Sequence, residues 1–110
     1  MIDAKTIDEI IAHLEAVRKR PMVFLGEKTE RALWVYFAGF NAACEILGQL
    51  RSGLLWEKIY WQVAEERGWE CNSMGAQKHM RDAGWAEEAI VDELLVIEIE
   101  QWRRIKADPE

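Results

Sequence analysis

The chain has 110 residues, of which 50% are apolar and 31% are charged, and its net charge is −6. This length and apolar content suffice for one folded domain and exclude a disordered chain. The acidic excess lies entirely in residues 56–110, with thirteen acidic and seven basic side chains, whereas residues 1–55 balance at seven of each. An acidic half repels phosphate backbones, so we expect no nucleic-acid partner and keep a basic protein as a candidate partner.

The cysteines and the N-terminus predict a cytoplasmic protein. Cys44 and Cys71 are too few for a disulfide framework, so we expect reduced thiols. Acidic residues stand among the first ten positions, where a signal peptide would need apolar ones. The longest apolar stretch, Ala32 to Leu50, is interrupted by polar residues at helical spacing, so we expect no membrane span.

The first helix is predicted from its start signal and its apolar face. Thr6-Ile7-Asp8-Glu9 has the form of a capping box, in which a hydroxyl N-cap is followed three residues later by Glu. Apolar residues then recur at helical spacing up to Val17. Pro21 ends the pattern because the residue before a proline is displaced from helical angles. We therefore expect a helix to about Lys19, followed by an extended segment from Met22 to Gly26.

The second helix, which Thr29 is placed to cap, carries two neighbouring apolar stripes. One stripe consists of Leu33, Phe37, Phe40, Cys44 and Leu47. The other consists of Val35, Gly39, Ala42 and Ile46. So wide an apolar face predicts contacts on two sides of the helix. The small residues Gly39 and Ala43 would let another helix come close.

Two Gly-Trp pairs predict the ends of the next two helices. A third helix from Leu54 to Arg67 precedes Gly68-Trp69, and a fourth from Met74 to Ala83 precedes Gly84-Trp85. Glycine is the usual residue just past a helix end, and the tryptophan after it can pack back on the helix.

The last helix, Ala86 to Lys106, is apolar nearly all round its middle. Such a helix is either central in its domain or part of an interface. Alternation over Ile97-Glu98-Ile99-Glu100 leaves a strand as an alternative there, although the surrounding Ala, Glu, Leu and Arg favour helix. The sequence as a whole predicts a single all-α domain over residues 1–110, a compact bundle of about five helices.

The segment Leu14-Glu15-Ala16-Val17-Arg18-Lys19-Arg20-Pro21-Met22-Val23-Phe24-Leu25-Gly26 resembles the N-terminal arm of DNA gyrase B-type ATPase subunits. In that family the arm leads to a helix with a Glu general base four residues before a magnesium-binding Asn. Asn41 matches the Asn, but Phe37 stands at the position of the base. The Asp-x-Gly-x-Gly nucleotide signature is also absent from the sequence. The resemblance therefore implies a similar arm without ATP hydrolysis.

A magnesium-dependent hydrolase is the alternative function. Glu88 and Asp92 share one face of the last helix, and Glu65 and Glu66 form a second acidic pair. Small helical pyrophosphohydrolases bind magnesium through such pairs on neighbouring helices. This alternative gains support if Glu65, Glu66, Glu88 and Asp92 converge in the structure, and loses it if they point separately into solvent.

The sequence also offers two weaker candidates, a helix-turn-helix and a zinc site, and each lacks residues that it would need. A helix-turn-helix would use Met80, Gly84 and Ile90, but its reading helix would begin with Glu87 and Glu88, which repel phosphates. The four residues able to bind zinc show no close ligand pair; they are His13, Cys44, Cys71 and His79.

The function that the sequence favours is protein–protein interaction. We expect a homodimer formed through Gly39 and Ala43 of the second helix or through Ile97 and Ile99 of the last one. The other form that this interaction function can take is an acidic inhibitor or immunity-type protein that covers a basic target. A docking segment is predicted at Arg18, Arg20, Met22 and Phe24. We assign no catalytic residue and no cofactor.

Overall fold

The computed structural model describes residues 2–47, 53–70 and 75–107. These contain six helices: α1 (Ala4–Lys19), α2 (Pro21–Leu25), α3 (Glu30–Ile46), α4 (Gly53–Glu66), α5 (Gly75–Asp82) and α6 (Glu87–Ala107). The predicted all-α class is confirmed, because the described residues form no strand. The alternating residues 97–100 belong to α6, so the strand alternative is wrong.

The N-terminus of α1 differs from the predicted capping box. Asp3, not Thr6, is the N-cap, and its Oδ1 accepts a hydrogen bond from the Thr6 backbone N–H at 2.7 Å. This hydrogen bond lowers the pKa of the Asp3 carboxyl. The prediction at Thr6 is wrong because Asp3 also precedes the apolar pattern by the spacing that a cap needs. At α3 the predicted cap is confirmed, since Thr29 Oγ1 accepts from the Ala32 N–H at 3.1 Å.

The segment after Pro21 is a short helix, so the predicted extended conformation is wrong. Arg20 leaves helical angles, at φ −134° and ψ 64°, and thereby separates α1 from α2. Pro21 then occupies the first turn of α2. Proline suits that position because its φ is already helical and its missing N–H would have no acceptor there. Gly26, at φ 80°, ends α2.

Both Gly-Trp pairs end their helices as predicted. Gly68 and Gly84 adopt φ values of 79° and 83°. The Trp69 N–H donates to the Ala64 carbonyl at 3.1 Å, and the Trp85 N–H donates to the Met80 carbonyl at 3.0 Å. These are the backbone hydrogen bonds of a Schellman motif. The two indole rings meet at 6.3 Å, edge to face, and so join the ends of α4 and α5.

Replacing Gly84 by alanine should destabilise the fold through backbone strain alone. A Cβ at this position would meet no atom within 4 Å, so no steric clash contributes. The left-handed conformation should cost about 1–2 kcal/mol of unfolding free energy. Gly84→Asn should cost less, because asparagine tolerates that conformation better. Urea unfolding of both variants measures the difference, and equal losses would contradict the explanation by strain.

The core is built around α6. Eight α6 residues are buried: Ile90, Val91, Leu94, Leu95, Ile97, Ile99, Gln101 and Trp102. Helices α1, α3, α4 and α5 all pack on α6. The indole of Trp102 is fully buried and lies 4.9 Å from that of Trp56. Of the two interpretations of the last helix, the structure therefore selects the central one.

Ion pairs tie the helices to α6 at its surface. Arg104 contacts Glu66 through both terminal nitrogens, at 2.6 and 2.8 Å, and Lys106 contacts Asp8 at 2.6 Å. Exposed pairs of this kind contribute at most about 1 kcal/mol each, so apolar burial dominates the stability. Among the described helices, none combines the length and the apolar character that crossing a membrane requires.

Candidate interaction surface

Helix α3 lies largely outside the core. Leu33 is its single buried residue, although the helix has 17 residues. Its exposed positions include Arg31, Trp34, Val35, Ala38, Gly39, Ala42, Glu45 and Ile46. At 100° per residue these eight fall within one sector of about 140° on the helix. We call these eight residues the outer face of α3.

The outer face is apolar in its middle and charged at its two ends. The side chains of Trp34, Val35 and Ile46 are 52%, 69% and 84% exposed. Arg31 stands at one end and Glu45 at the other, and the residues between them carry no charge. Contiguous exposed apolar surface of this kind usually marks an interaction site.

The predicted interface residues of α3 lie on or beside this face. A Cβ on Gly39 would meet no atom within 4 Å, so the space in front of this glycine is open. Ala43 is exposed at the flank of the outer face. Of the two predicted apolar stripes, the one containing Leu33 and Phe37 faces the core, while the one containing Val35 faces solvent.

The other predicted interface pair lies inside the molecule. Ile97 and Ile99 are only 2% and 1% exposed and belong to the core cluster. A residue buried in the folded chain offers no surface to a second copy. The sequence-based assignment of this pair to an interface is therefore corrected: both side chains stabilise the single chain.

The four residues of the predicted docking segment are all exposed, but two of them also make contacts within the chain. Met22 is 60% exposed, and Arg20 is exposed at the junction of α1 and α2. The Phe24 ring instead packs edge to face on His13 at 5.3 Å. His13 in turn hydrogen-bonds the Tyr36 hydroxyl, which links α1, α2 and α3. Partial burial raises the pKa of Tyr36.

Arg18 pairs with α6. Its Nε and Nη2 donate to the two carboxylate oxygens of Asp92, at 3.0 and 3.4 Å. The hydrogen bonds from Arg18 to Asp92 raise the pKa of the arginine. Arg18 thus joins α1 to α6 within the chain.

The four carboxylates of the hydrolase alternative do not converge. Glu66 pairs with Arg104, and this hydrogen-bonded pair lowers the pKa of Glu66. Asp92 pairs with Arg18, whereas Glu65 and Glu88 are exposed. In the described parts of the chain, no three His, Cys, Asp or Glu side chains come together to hold a metal ion. The geometry therefore gives this alternative no metal site there.

The remaining sequence motifs also have structural roles. The His79 ring stacks on Trp69 at 6.1 Å, and its Nε2 lies 3.0 Å from the Glu70 carbonyl oxygen. Cys71 lies outside the described residues. The would-be reading helix of a helix-turn-helix is α6, whose first residues, Glu87 and Glu88, are exposed acidic side chains, whereas its later residues form the core.

A second feature, which the sequence reasoning missed, is a cleft of about 430 Å³ between α3, α4, α5 and α6. Five aromatic side chains line it: Trp34, Phe37, Trp56, Tyr60 and Trp61. Their local spacings, such as Trp34 with Phe37 and Trp56 with Tyr60, indicate shared helix faces in the sequence. Which of those faces meet is a matter of tertiary packing.

No protein-family model, curated protein or solved structure matches this chain. The resemblance of residues 14–26 to the gyrase B arm stays a prediction that no match tests.

Proposed function

We propose that this chain is a protein–protein interaction module whose partner is a second copy of itself, bound through the outer face of α3. The observation that carries the proposal is the placement of the two charges. Arg31 and Glu45 lie seven residues on either side of Ala38. Two α3 helices that run antiparallel across a two-fold axis near Ala38 bring each Arg31 beside the Glu45 of the other copy.

The apolar residues fit the same arrangement. Trp34 and Ala42 lie four residues before and four after Ala38, so a bulky side chain of one copy faces a small one of the other. Gly39 lies next to the axis, where the lack of a side chain permits close helix approach. Symmetric pairs of this kind are the commonest closed oligomers. Covering the exposed Val35 and Ile46 supplies the hydrophobic driving force.

Within the described residues, both charges remain available for a partner. Neither Arg31 nor Glu45 forms an ion pair with another described residue. By contrast, eight carboxylates elsewhere are engaged in ion pairs within the chain: Asp8, Glu15, Glu30, Glu66, Asp82, Asp92, Glu93 and Glu100. A basic protein partner therefore has less support than a second copy, whose own face supplies the matching apolar surface and charges.

A charge exchange tests the antiparallel arrangement. Arg31→Glu or Glu45→Arg alone places like charges together and should weaken the dimer about threefold to tenfold. The double variant restores opposite charges and should recover most of the lost affinity. Sedimentation equilibrium over a concentration series measures the dissociation constants.

Matched controls separate this effect from net charge. Lys5→Glu and Glu9→Arg make the same charge changes at exposed positions of α1 and should leave the dimer unchanged. A double variant that associates no better than either single variant would rule out the pairing of Arg31 with Glu45.

A further inference from the structure

The cleft between α3, α4, α5 and α6 has the size and the walls of a ligand site. Its volume of about 430 Å³ falls within the range usual for small-molecule sites. Leu33, Leu94 and Ile97 contribute apolar surface beside the five aromatic side chains. The surface is therefore concave and mostly apolar, unlike the convex outer face of α3.

Contacts within the chain hold the aromatic walls in place. Trp34 packs edge to face on Phe37 at 6.5 Å, and Tyr60 packs edge to face on Trp61 at 5.0 Å. The Tyr60 hydroxyl accepts a hydrogen bond from the Ala76 N–H at 2.7 Å, which ties α4 to α5. Burial raises the pKa of this hydroxyl. The walls of the site are thus formed before any ligand enters.

Among the described residues that line the cleft, the charged side chains are both acidic. Glu57 and Glu98 contribute carboxylates, and no Lys, Arg or His is among the described lining residues. Gln101, only 2% exposed, adds a buried polar group whose amide donates to the Trp56 carbonyl at 3.2 Å. Aromatic faces and carboxylates both attract positive charge, and together they repel anions.

We propose that this cleft binds a small organic cation, specifically an alkylammonium or quaternary ammonium group. Such a ligand is complementary to both the aromatic and the acidic side chains of the cleft. Its alkyl groups cover the aromatic rings, and its charge is attracted by the ring faces and by Glu57. The proposal goes beyond self-association and uses a different surface. Trp34 is the residue common to the outer face and the cleft.

The test is a titration of the full chain with choline and with its neutral isostere, 3,3-dimethylbutan-1-ol. Isothermal titration calorimetry and tryptophan fluorescence both report the binding. Choline should bind with a dissociation constant on the order of 1 mM, since so small a ligand makes few contacts. The neutral isostere should bind at least about tenfold more weakly, since it lacks the cation–π attraction. Equal binding of the two compounds, or no binding of choline, would overturn the proposal.

Variants locate the site. Glu57→Gln should weaken choline binding about threefold to tenfold by removing one nearby charge. Glu65→Gln, which removes the same charge from an exposed position of α4 outside the cleft, should leave binding unchanged. Both changes are at exposed positions, so the fold should tolerate them. Equal effects of the two substitutions would show that net charge, not the cleft, attracts the ligand.

Two further titrations ask whether the bound cation is a small molecule or a peptide side chain, and whether the dimer contributes to the site. A peptide carrying trimethyllysine should bind no more tightly than choline, and binding at least about tenfold tighter would reassign the site to a peptide side chain. Choline should also bind the monomeric Val35→Glu variant as it binds the original chain. Loss of binding there would show that the cleft is incomplete in a single chain.

Discussion

Val35→Glu should convert a dimeric protein into a folded monomer. Val35 is 69% exposed, so a carboxylate there remains hydrated in the single chain and leaves the fold intact. In the proposed dimer the same carboxylate would be pressed against the apolar face of the second copy without a partner. Burying an unpaired charge costs several kcal/mol, and the symmetric dimer contains two such carboxylates. We expect association to weaken by at least about 100-fold.

Val23→Glu is the matched control for this variant. Val23 lies on α2 and is 72% exposed, so the substitution is chemically the same at similar exposure. Sedimentation velocity from micromolar to submillimolar concentration should show the original chain and Val23→Glu as dimers and Val35→Glu as a monomer. Dissociation by Val23→Glu alone would move the interface to α2. A monomeric original chain at the highest concentration would contradict the proposed self-association.

Much of the fold follows from local sequence signals. Both Gly-Trp pairs end their helices because the glycine conformation and the backbone hydrogen bonds of that turn involve only neighbouring residues. The errors at Asp3 and Pro21 are also local. Asp3 and Thr6 can each cap a helix, and Pro21 can end one helix or begin the next. Which role a residue takes depends on which backbone N–H and C=O groups still lack a hydrogen-bond partner.

The interaction surface could be predicted only in part. Helices α3 and α6 both carry more apolar circumference than one neighbouring helix covers, so periodicity alone treats Gly39 and Ile97 alike. The difference between them comes from the number of neighbours. Helix α6 is surrounded by α1, α3, α4 and α5, whereas α3 packs mainly on α6 and α2. This distinction is a property of the tertiary arrangement, which a helical repeat does not encode.

The cleft depends even more on tertiary structure. Trp34 on α3 and Trp61 on α4 belong to helices that are joined by residues outside the described ranges. Both side chains line the same cleft, together with Ile97 of α6, because of how the two helices are placed in the tertiary structure. An excess of tryptophan in the sequence indicates burial or binding in general, but it does not show which rings face a common space.

Ile97→Glu should unfold the chain. Ile97 is 2% exposed in the central helix, and glutamate there would place a carboxylate among apolar side chains without a partner. The penalty of several kcal/mol is comparable with the whole stability of a small domain, about 5–15 kcal/mol. Ile97→Ala should leave a folded protein that is less stable by about 2–5 kcal/mol, because it removes packing without adding charge.

Ile46→Glu is the matched control because it makes the same substitution at a side chain that is 84% exposed on the outer face of α3. Circular dichroism during urea unfolding, at one fixed protein concentration, should show Ile46→Glu as helical and Ile97→Glu as unfolded without denaturant. Sedimentation should then show that Ile46→Glu has lost affinity for a second copy. A folded, monomeric Ile97→Glu would instead place the interface on α6. The substitutions at Ile97 and Ile46 thus distinguish core residues, which stabilise a single chain, from interface residues, which join two chains.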